Sequence, residues 1–466
     1  GALRGAIGEG RGAERLARVA SAGGVVVTTG QQAGLFGGPA YTWVKAVGAL
    51  ALAEAIERET GVPAAPVFWA ATDDADFAEA GVTYVLSNEA PHRLALGAPP
   101  PAGTPMAGVP LGDVAPLLAA LRVACGSMAF APAYDAAAAA YRADATVGGA
   151  YVALLRALLD PLGIPVLDAS HPAVRRAGAG VLHAALERGA EVAAGLQARA
   201  GWLAARGFEP QVADVAGLST VFVHEQGVKR RVPVVESAAV ARAAAPEALS
   251  PNVLLRPVLE RAILPTVAYL AGPGELAYFA QVSAVADALG AAAPLAVPRW
   301  SCTIVEPAVD RALTRLGVGV DEVKDADALA GRTARAAVPS RVQGALDDLR
   351  RAVREGIAAL AGADGAAAGG PLLPEAVVTG AERQIGFRLD RLERRLLAAA
   401  KRRGSEALRD VALARAHLWP EGHAQERTLN FIPFLARYGD GLWTVMRRAA
   451  GEHARRLLHA GAAGDS

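Results

Sequence analysis

Residues 25–77, VVVTTGQQAGLFGGPAYTWVKAVGALALAEAIERETGVPAAPVFWAATDDADF, decide the fold. A β-branched run, 25–29, stops at a glycine-rich loop that holds Gly30, Gly34, Gly37 and Gly38. After Pro39 the pattern turns helical for about five turns, with Val44, Val47, Leu50, Ala51 and Ala55 on one face. A second apolar run, 66–71, ends in Asp73, Asp74 and Asp76. A strand, loop, helix, strand unit with chemistry at both strand ends predicts an α/β, mostly parallel sheet that gathers its ligands at the carboxyl edge.

Outward from this unit, short apolar runs alternate with helical stretches as far as about residue 306. Strands are expected at 67–72, 82–86, 165–168, 266–270 and 295–297. Two alternating segments within 221–234, joined at Gln226 and Gly227, read as a β-hairpin decorating the sheet, as does the Pro/Gly-rich segment 99–110. The period then changes to about 3.5. Leu346, Leu349, Val353, Ile357 and Leu360 form one seam, and Ile385, Leu389, Leu392, Leu396 and Ala399 another. With GADGAAAGGP (362–371) between them and charged flanks around them, these read as an antiparallel coiled-coil hairpin. The expected organisation is a Rossmann-like core over 1–325 with insertions near 88–145 and 170–250. A helical coiled-coil domain follows over 326–415, and 416–466 returns to the core.

Composition bounds the partners. At 466 residues the chain exceeds one ordinary core. Its 47 basic residues against 46 acidic ones leave no electrostatic footprint for nucleic acid or an anionic membrane. No apolar stretch approaches the roughly 20 residues that span a bilayer, and residues 1–14 carry charges where a signal peptide needs an apolar core. Two cysteines, Cys125 and Cys302, are too few for a disulfide framework. A reducing cytoplasm is the expectation. The chain opens at Gly1 inside what reads as a helix, RGAERLARVASA, so an upstream piece is expected to be missing.

Spacing narrows the chemistry of the glycine loop. A Walker A loop needs Lys after its last glycine, but Gly38, Pro39 and Ala40 follow Gly37, and Gly30 and Gly34 are too far apart for a G-x-G-x-x-G fingerprint, which argues against NAD. Tyr41 and Lys45 make a Y-x-x-x-K pair, yet they sit on the helix that the loop opens and not far downstream, as a short-chain dehydrogenase requires. Two readings stay open, an anion site at a helix N-terminus, with Gln31, Gln32 and Lys45 beside it, and a packing turn. A second strand, loop, helix unit, TVAYLAGPGELAYFAQ, with Gly272, Gly274 and Glu275, tips the balance toward a cleft at a topological switch point. Asn252 and Arg256 precede it, four apart; Arg256 is a cleft cation or a structural ion-pair partner. Asp73, Asp74 and Asp76 suit an amine, Mg²⁺ or base catalysis, with Asp76 also placed to cap the helix that starts near Phe77. Alternation along an extended chain would point Asp74 and Asp76 one way and Asp73 the other. The eight histidines lack zinc-site spacing, and Cys302 has no nearby His.

Four runs, TGQQAGLFGGPAYTWVKA, PVFWAATDDADF, LSPNVLLRPVLERAILPTVAYLAGPGELAYFAQ and AQERTLNFIPFLARYG, resemble the bacillithiol biosynthesis cysteine-adding enzyme family over about residues 25–443. The resemblance implies a Rossmann-like core related to nucleotidylyltransferases, and a coiled coil used for homodimerisation. It also implies a ligase that joins L-cysteine to the amino group of glucosaminyl-malate in the last step of bacillithiol formation. ATP, with or without Mg²⁺, is the expected energy source. On this reading Asp73, Asp74, Lys45 and Glu275 are the candidate catalytic residues. Gly30, Gln31, Gln32, Gly34, Gly37, Gly38, Tyr41, Asp76, Asn252, Arg256, Gly272, Gly274, Tyr278 and Arg299 are the candidate binding residues. Carboxylates or phosphate would use the glycine loop with Lys45, Arg256 and Arg299, and an amine would use Asp73, Asp74 or Glu275. One departure stands out: Ala75 occupies the position where family members often carry His in an E-D-H-D pattern. Competing readings are a nucleotidylyltransferase using the same cleft and a non-catalytic dimeric scaffold.

Overall fold

In the computed structural model, which describes residues 2–87, 89–213, 217–365, 373–403 and 405–462, the deciding stretch folds as strand β1 (Val25–Gln32), helix α1 (Tyr41–Thr60) and strand β2 (Ala64–Ala71). The two strands pair in parallel along their whole length, from Val25 opposite Ala64 to Gln32 opposite Ala71. β1 is thus longer than its β-branched run: Gly30, Gln31 and Gln32 belong to the strand and not to the loop. Gly30 lies opposite Trp69, where a Cβ would approach the Trp69 carbonyl oxygen to 2.9 Å.

The remaining strands are β3 (Val82–Ser87), β4 (Ala90–Ala95), β5 (Val166–Asp168), β6 (Leu218–Glu225), β7 (Val228–Pro233), β8 (Leu249–Pro251), β9 (Thr266–Ala271) and β10 (Leu295–Pro298). A parallel sheet forms in the order β10-β9-β1-β2-β5. The run at 82–86 is a strand, as its pattern predicts, but it pairs with β4 outside this sheet. The hairpin β6–β7 turns at Gln226 (φ 50°) and Gly227 (φ 82°), and β8 extends it to three antiparallel strands. Two positive φ values give the turn a twist that matches its strands.

From β1 the chain moves to β2 on one side, and from β9 it moves to β10 on the other. The carboxyl ends of β1 and β9 are therefore the switch point of the sheet. Helix α2 (Arg256–Ile263) precedes β9 and α3 (Pro273–Leu289) follows it. Val282 and Val285 of α3 and Val258 and Leu259 of α2 share a core with Val26, Val67 and Trp69 of the sheet. α1 packs on β1 and β2 and is buried nearly all round from Thr42 to Ala55, not on one face only. Its other side meets helix Ile432–Ala462 and the segment before it, with Trp43 stacked on Phe431 at 5.5 Å and tilted on Trp443 at 6.2 Å. A helical stretch buried all round requires such cover on two sides.

Residues 1–87, 91–302 and 426–466 form this unit, and 88–90 with 303–425 form a second one. Residues 303–325, grouped with the core on sequence pattern, fold with the second unit. Its small core joins Val309 and Leu313 to Leu329, Val411, Ala414 and Leu418, and Arg315 grips Asp410 with two bonds of 2.8 and 2.6 Å. Helices α4 (Ser340–Gly365) and α5 (Glu375–Arg403) carry the predicted seams, and Arg350 bridges from one to Asp390 and Glu393 of the other, both at 2.8 Å. Most of the predicted breaker, 366–371, lies outside the described residues. No helix among the described residues is long and apolar enough to cross a membrane.

Candidate active site

A cleft of about 730 Å³ opens at the carboxyl ends of β1, β2 and β9. Phe222, Lys229 and Arg231 of the hairpin and Pro251 of β8 line it from above the sheet. Of the residues singled out by sequence, Gly30, Gln31, Gln32, Tyr41, Lys45, Asp73, Asp74, Asn252, Arg256, Gly272, Gly274, Glu275, Tyr278 and Arg299 all line it.

Lys45 sits at the centre. Its place one turn into α1 carries its side chain back over the switch point. There Nζ donates to the Gly30 carbonyl (2.9 Å) and to Gln31 Oε1 (3.0 Å) and pairs with Glu275 Oε2 at 2.5 Å. Burial holds the ammonium below an ordinary lysine even against the pull of Glu275. Glu275 also accepts from the Tyr269 hydroxyl (2.6 Å) and from the Gly272 amide (2.7 Å), closing the first turn of α3. Burial alone would raise its carboxyl, but Lys45 and these donors hold it below the usual range. Three partners each make Lys45 and Glu275 a clamp between β1 and β9.

Arg256 is similarly held. It donates to Glu260 (2.9 Å) and to the Tyr278 hydroxyl (2.9 Å), with Tyr269 under its guanidinium. Glu260, fully buried, accepts in addition from Thr28 of β1. Asn252 Oδ1 accepts from the Leu254 and Leu255 amides, and the Asn252 carbonyl from the Arg256 amide, which sets the turn into α2. Arg299 forms a two-pronged pair with Glu426, at 2.6 and 3.1 Å, beside Tyr41. These arginines shape the wall with their charges already matched.

The first glycine loop does not line the cleft. Gly37 and Gly38 (φ 85° and 71°) turn the chain beneath Trp43. The Gly37 amide bonds the Gly34 carbonyl and the Gly38 amide that of Leu35. Asn430, buried in the run before the last helix, donates to the carbonyls of Leu35, Phe36 and Gly38 and to Thr83, while Tyr141 donates to that of Gly34. Gly34, Gly37 and Gly38 therefore take the packing-turn reading, because their polar backbone groups are spent internally.

The acidic motif divides differently from the expected alternation, because β2 ends at Ala71 and Thr72–Asp74 is a turn. Asp73 and Asp74 both line the cleft, whereas Asp76 caps the short helix Phe77–Ala80 by accepting from the Glu79 amide (3.1 Å). Lys229 of the hairpin donates to the Asp73 carbonyl (2.8 Å) and lies 3.6 Å from Asp74. Burial raises the Asp73 carboxyl, although Lys229 and Arg175 pull the other way.

Sequence reasoning missed Glu79, Lys229 and Arg427, all of which line the cleft. Lys229 was hidden in a hairpin that reads as decoration. Arg427 lies in AQERTLNFIPF, whose pattern carries no signal for a distant strand end. Arg427 is exposed and makes no hydrogen bond or ion pair among the described residues, and space is open around Gly274 at the start of α3. A free guanidinium and an uncovered helix N-terminus are the elements here that fit a carboxylate or phosphate. No group of three or more His, Cys, Asp and Glu side chains among the described residues is placed to hold a metal ion.

Fold and cleft together define a Rossmann-like enzyme domain carrying a helical companion. The sequence matches the family model for the bacillithiol biosynthesis BshC N-terminal Rossmann-like domain over residues 7–300, and that for its C-terminal coiled-coil domain over 302–454. Relatives from Solibacter usitatus (35% identical over 91% of this chain and 82% of the relative), Koribacter versatilis (32%; 94% and 83%) and Thermus thermophilus (31%; 89% and 84%) each bear the name "Putative cysteine ligase BshC". The chain belongs to the BshC family, a ligase family of bacillithiol biosynthesis.

Proposed function

We propose that this protein forms a carbon–nitrogen bond, joining L-cysteine to the amine of glucosaminyl-malate as the last step of bacillithiol synthesis, with ATP activating the cysteine carboxylate. One observation carries the reading. The cleft combines a clamped, charge-matched floor at Lys45 and Glu275 with unmatched groups at its sides, Arg427 and open Gly274 for anions and Glu79 for an amine. An amide-forming ligase needs both kinds of recognition, since it must hold an acid with its phosphate donor and present an amine to the activated carbon. The phosphate end of ATP would lie at Arg427 and Gly274, and the malate carboxylates near Lys229 and Arg231. The cytoplasm is the compartment in which such a thiol product stays reduced. The homodimer belongs to the same proposal, through seam residues of α4 and α5 that the hairpin leaves exposed.

The test is mass spectrometry of purified protein incubated with cysteine, glucosaminyl-malate and ATP. Bacillithiol with stoichiometric AMP or ADP is the expected result. Absence of product from folded protein would overturn the reading, and nucleotide transferred to the product would favour a nucleotidylyltransferase instead.

A further inference from the structure

Among the described residues, the carboxylates that line the cleft are Asp73, Asp74, Glu79 and Glu275. Glu275 is locked by Lys45, Tyr269 and the Gly272 amide. Asp74 holds the Ala75 amide at 2.7 Å and faces Lys229, while Asp73 lies in the field of Lys229 and Arg175. Glu79 differs, having no cation at ion-pair distance among the described residues. It is exposed to the cleft, and Tyr41 is its neutral hydrogen-bond partner, at 3.2 Å to Oε1.

The direction of that bond is fixed. Lys45 donates to Gln31 Oε1, so Gln31 presents Nε2 to the Tyr41 hydroxyl at 2.9 Å, and the hydroxyl must send its own proton to Glu79. Asp76 caps the Glu79 amide and holds the residue's backbone in place. The carboxylate is thus aimed by a chain that begins at the central lysine, and Oε2 is left for substrate.

We propose that Glu79 is the catalytic base that takes a proton from the attacking amine during amide formation, an assignment that rests on the ligase reading above. The amine nitrogen bonds to an acyl carbon activated as a mixed anhydride with phosphate. The bond from that carbon to the anhydride oxygen breaks, its electron pair leaving with the phosphate group, and the surplus amine proton passes to Glu79 Oε2. The charged neighbours suit the task. Partial burial, together with Asp76 and Asp74 from the preceding turn, pushes the Glu79 carboxyl above an ordinary glutamate, and the Tyr41 hydrogen bond and the Gln32 amide act against that rise. Arg427 and Glu275 also act on Tyr41, in opposite senses. A base is most effective when it titrates near the working pH.

Glu79→Gln keeps an acceptor for Tyr41 and removes the base. The expected result is a fall in the amide-forming kcat of about 100- to 10,000-fold at neutral pH, larger than any rise in KM for the amine. Cysteine-dependent exchange of label between ATP and its cleavage product, measured without the amine, should persist. The deficit should shrink as pH rises and the amine deprotonates unaided. Tyr41→Phe keeps the carboxylate but removes the donor that favours its charged form, so the acid limb of the rate profile should move to higher pH. Wild-type amide formation with an equally active Glu79→Gln enzyme overturns this assignment alone, as does loss of the exchange reaction or an acid limb unmoved in Tyr41→Phe. No amide from wild-type protein overturns the ligase reading itself.

Discussion

At the scale of the residue, Lys45 shows how a buried charge is made tolerable, since it has two neutral acceptors, Gly30 and Gln31, and a carboxylate that is itself bonded on both oxygens. Lys45→Met leaves Glu275 without its cation, a change that costs about 3–5 kcal/mol for a buried pair, to be read as a lower midpoint of denaturant unfolding. The sign with pH follows from Glu275. Its folded pKa lies below the unfolded value, so its contribution is present above that unfolded value and lost as pH falls through the folded one. In the variant burial is opposed only by the Tyr269 and Gly272 hydrogen bonds, the carboxyl moves up, and the stability deficit against wild type should widen as pH rises from about 4 to 7. His224 in the hairpin offers a second titration. Its ring reaches Ser250 at 2.7 Å, and burial, with Arg175 and Lys229 nearby, lowers it to about 4. The unfolded chain therefore binds the proton first, and stability should decline as pH falls from about 6.5 toward 4 by at most about 3 kcal/mol. His224→Gln should flatten that slope in a urea-unfolding series.

At the scale of the element, the loop from Gly34 to Gly38 shows why glycine spacing alone misleads. Its conformation is held from a residue almost four hundred positions away, through Asn430 Nδ2 shared among three carbonyls and Thr83, and Phe36 is kept at φ 51° against Tyr141. Asn430→Ala leaves buried acceptors without a donor, with an expected loss of about 2–4 kcal/mol. The effect should be local first, as faster amide hydrogen exchange at Gly37 and Gly38. β1, α1 and β2 were legible because β-branched runs, a long apolar helix and strand-end aspartates obey local rules. The fate of the glycine loop was not legible, because the groups that satisfy its backbone come from Tyr141 and Asn430. For the same reason the arginines could be placed at the cleft but not partnered. Glu260 is one helical turn from Arg256 and could be guessed, whereas Glu426 lies 127 positions from Arg299.

At the scale of the whole molecule, the order of motifs along the chain converges in space, since fourteen of the eighteen residues singled out by sequence line one cavity. What escaped was the contribution of segments without a periodic signal, the hairpin that brings Lys229 and the run that brings Arg427. The coiled coil poses the opposite case, in which the sequence pattern is stronger than the packing it finds within one chain. Val353, Ile357, Leu389 and Leu396 are half-buried between α4 and α5, yet Leu349, Leu360, Ile385, Leu392 and the neighbouring Phe387 remain exposed at 36–61%. Side chains of this kind on a narrow seam are stable in water when a second helix pair covers them. Under the proposed homodimer, the double variant Phe387→Glu, Leu392→Glu places four like charges at each two-fold contact and should give a monomer by light scattering at micromolar concentration. The cores around Val309 and Val26 contain neither residue, so far-UV circular dichroism should be preserved. A wild-type protein that is monomeric across the same concentrations, or a double variant that stays dimeric, would remove the coiled coil as the dimer interface.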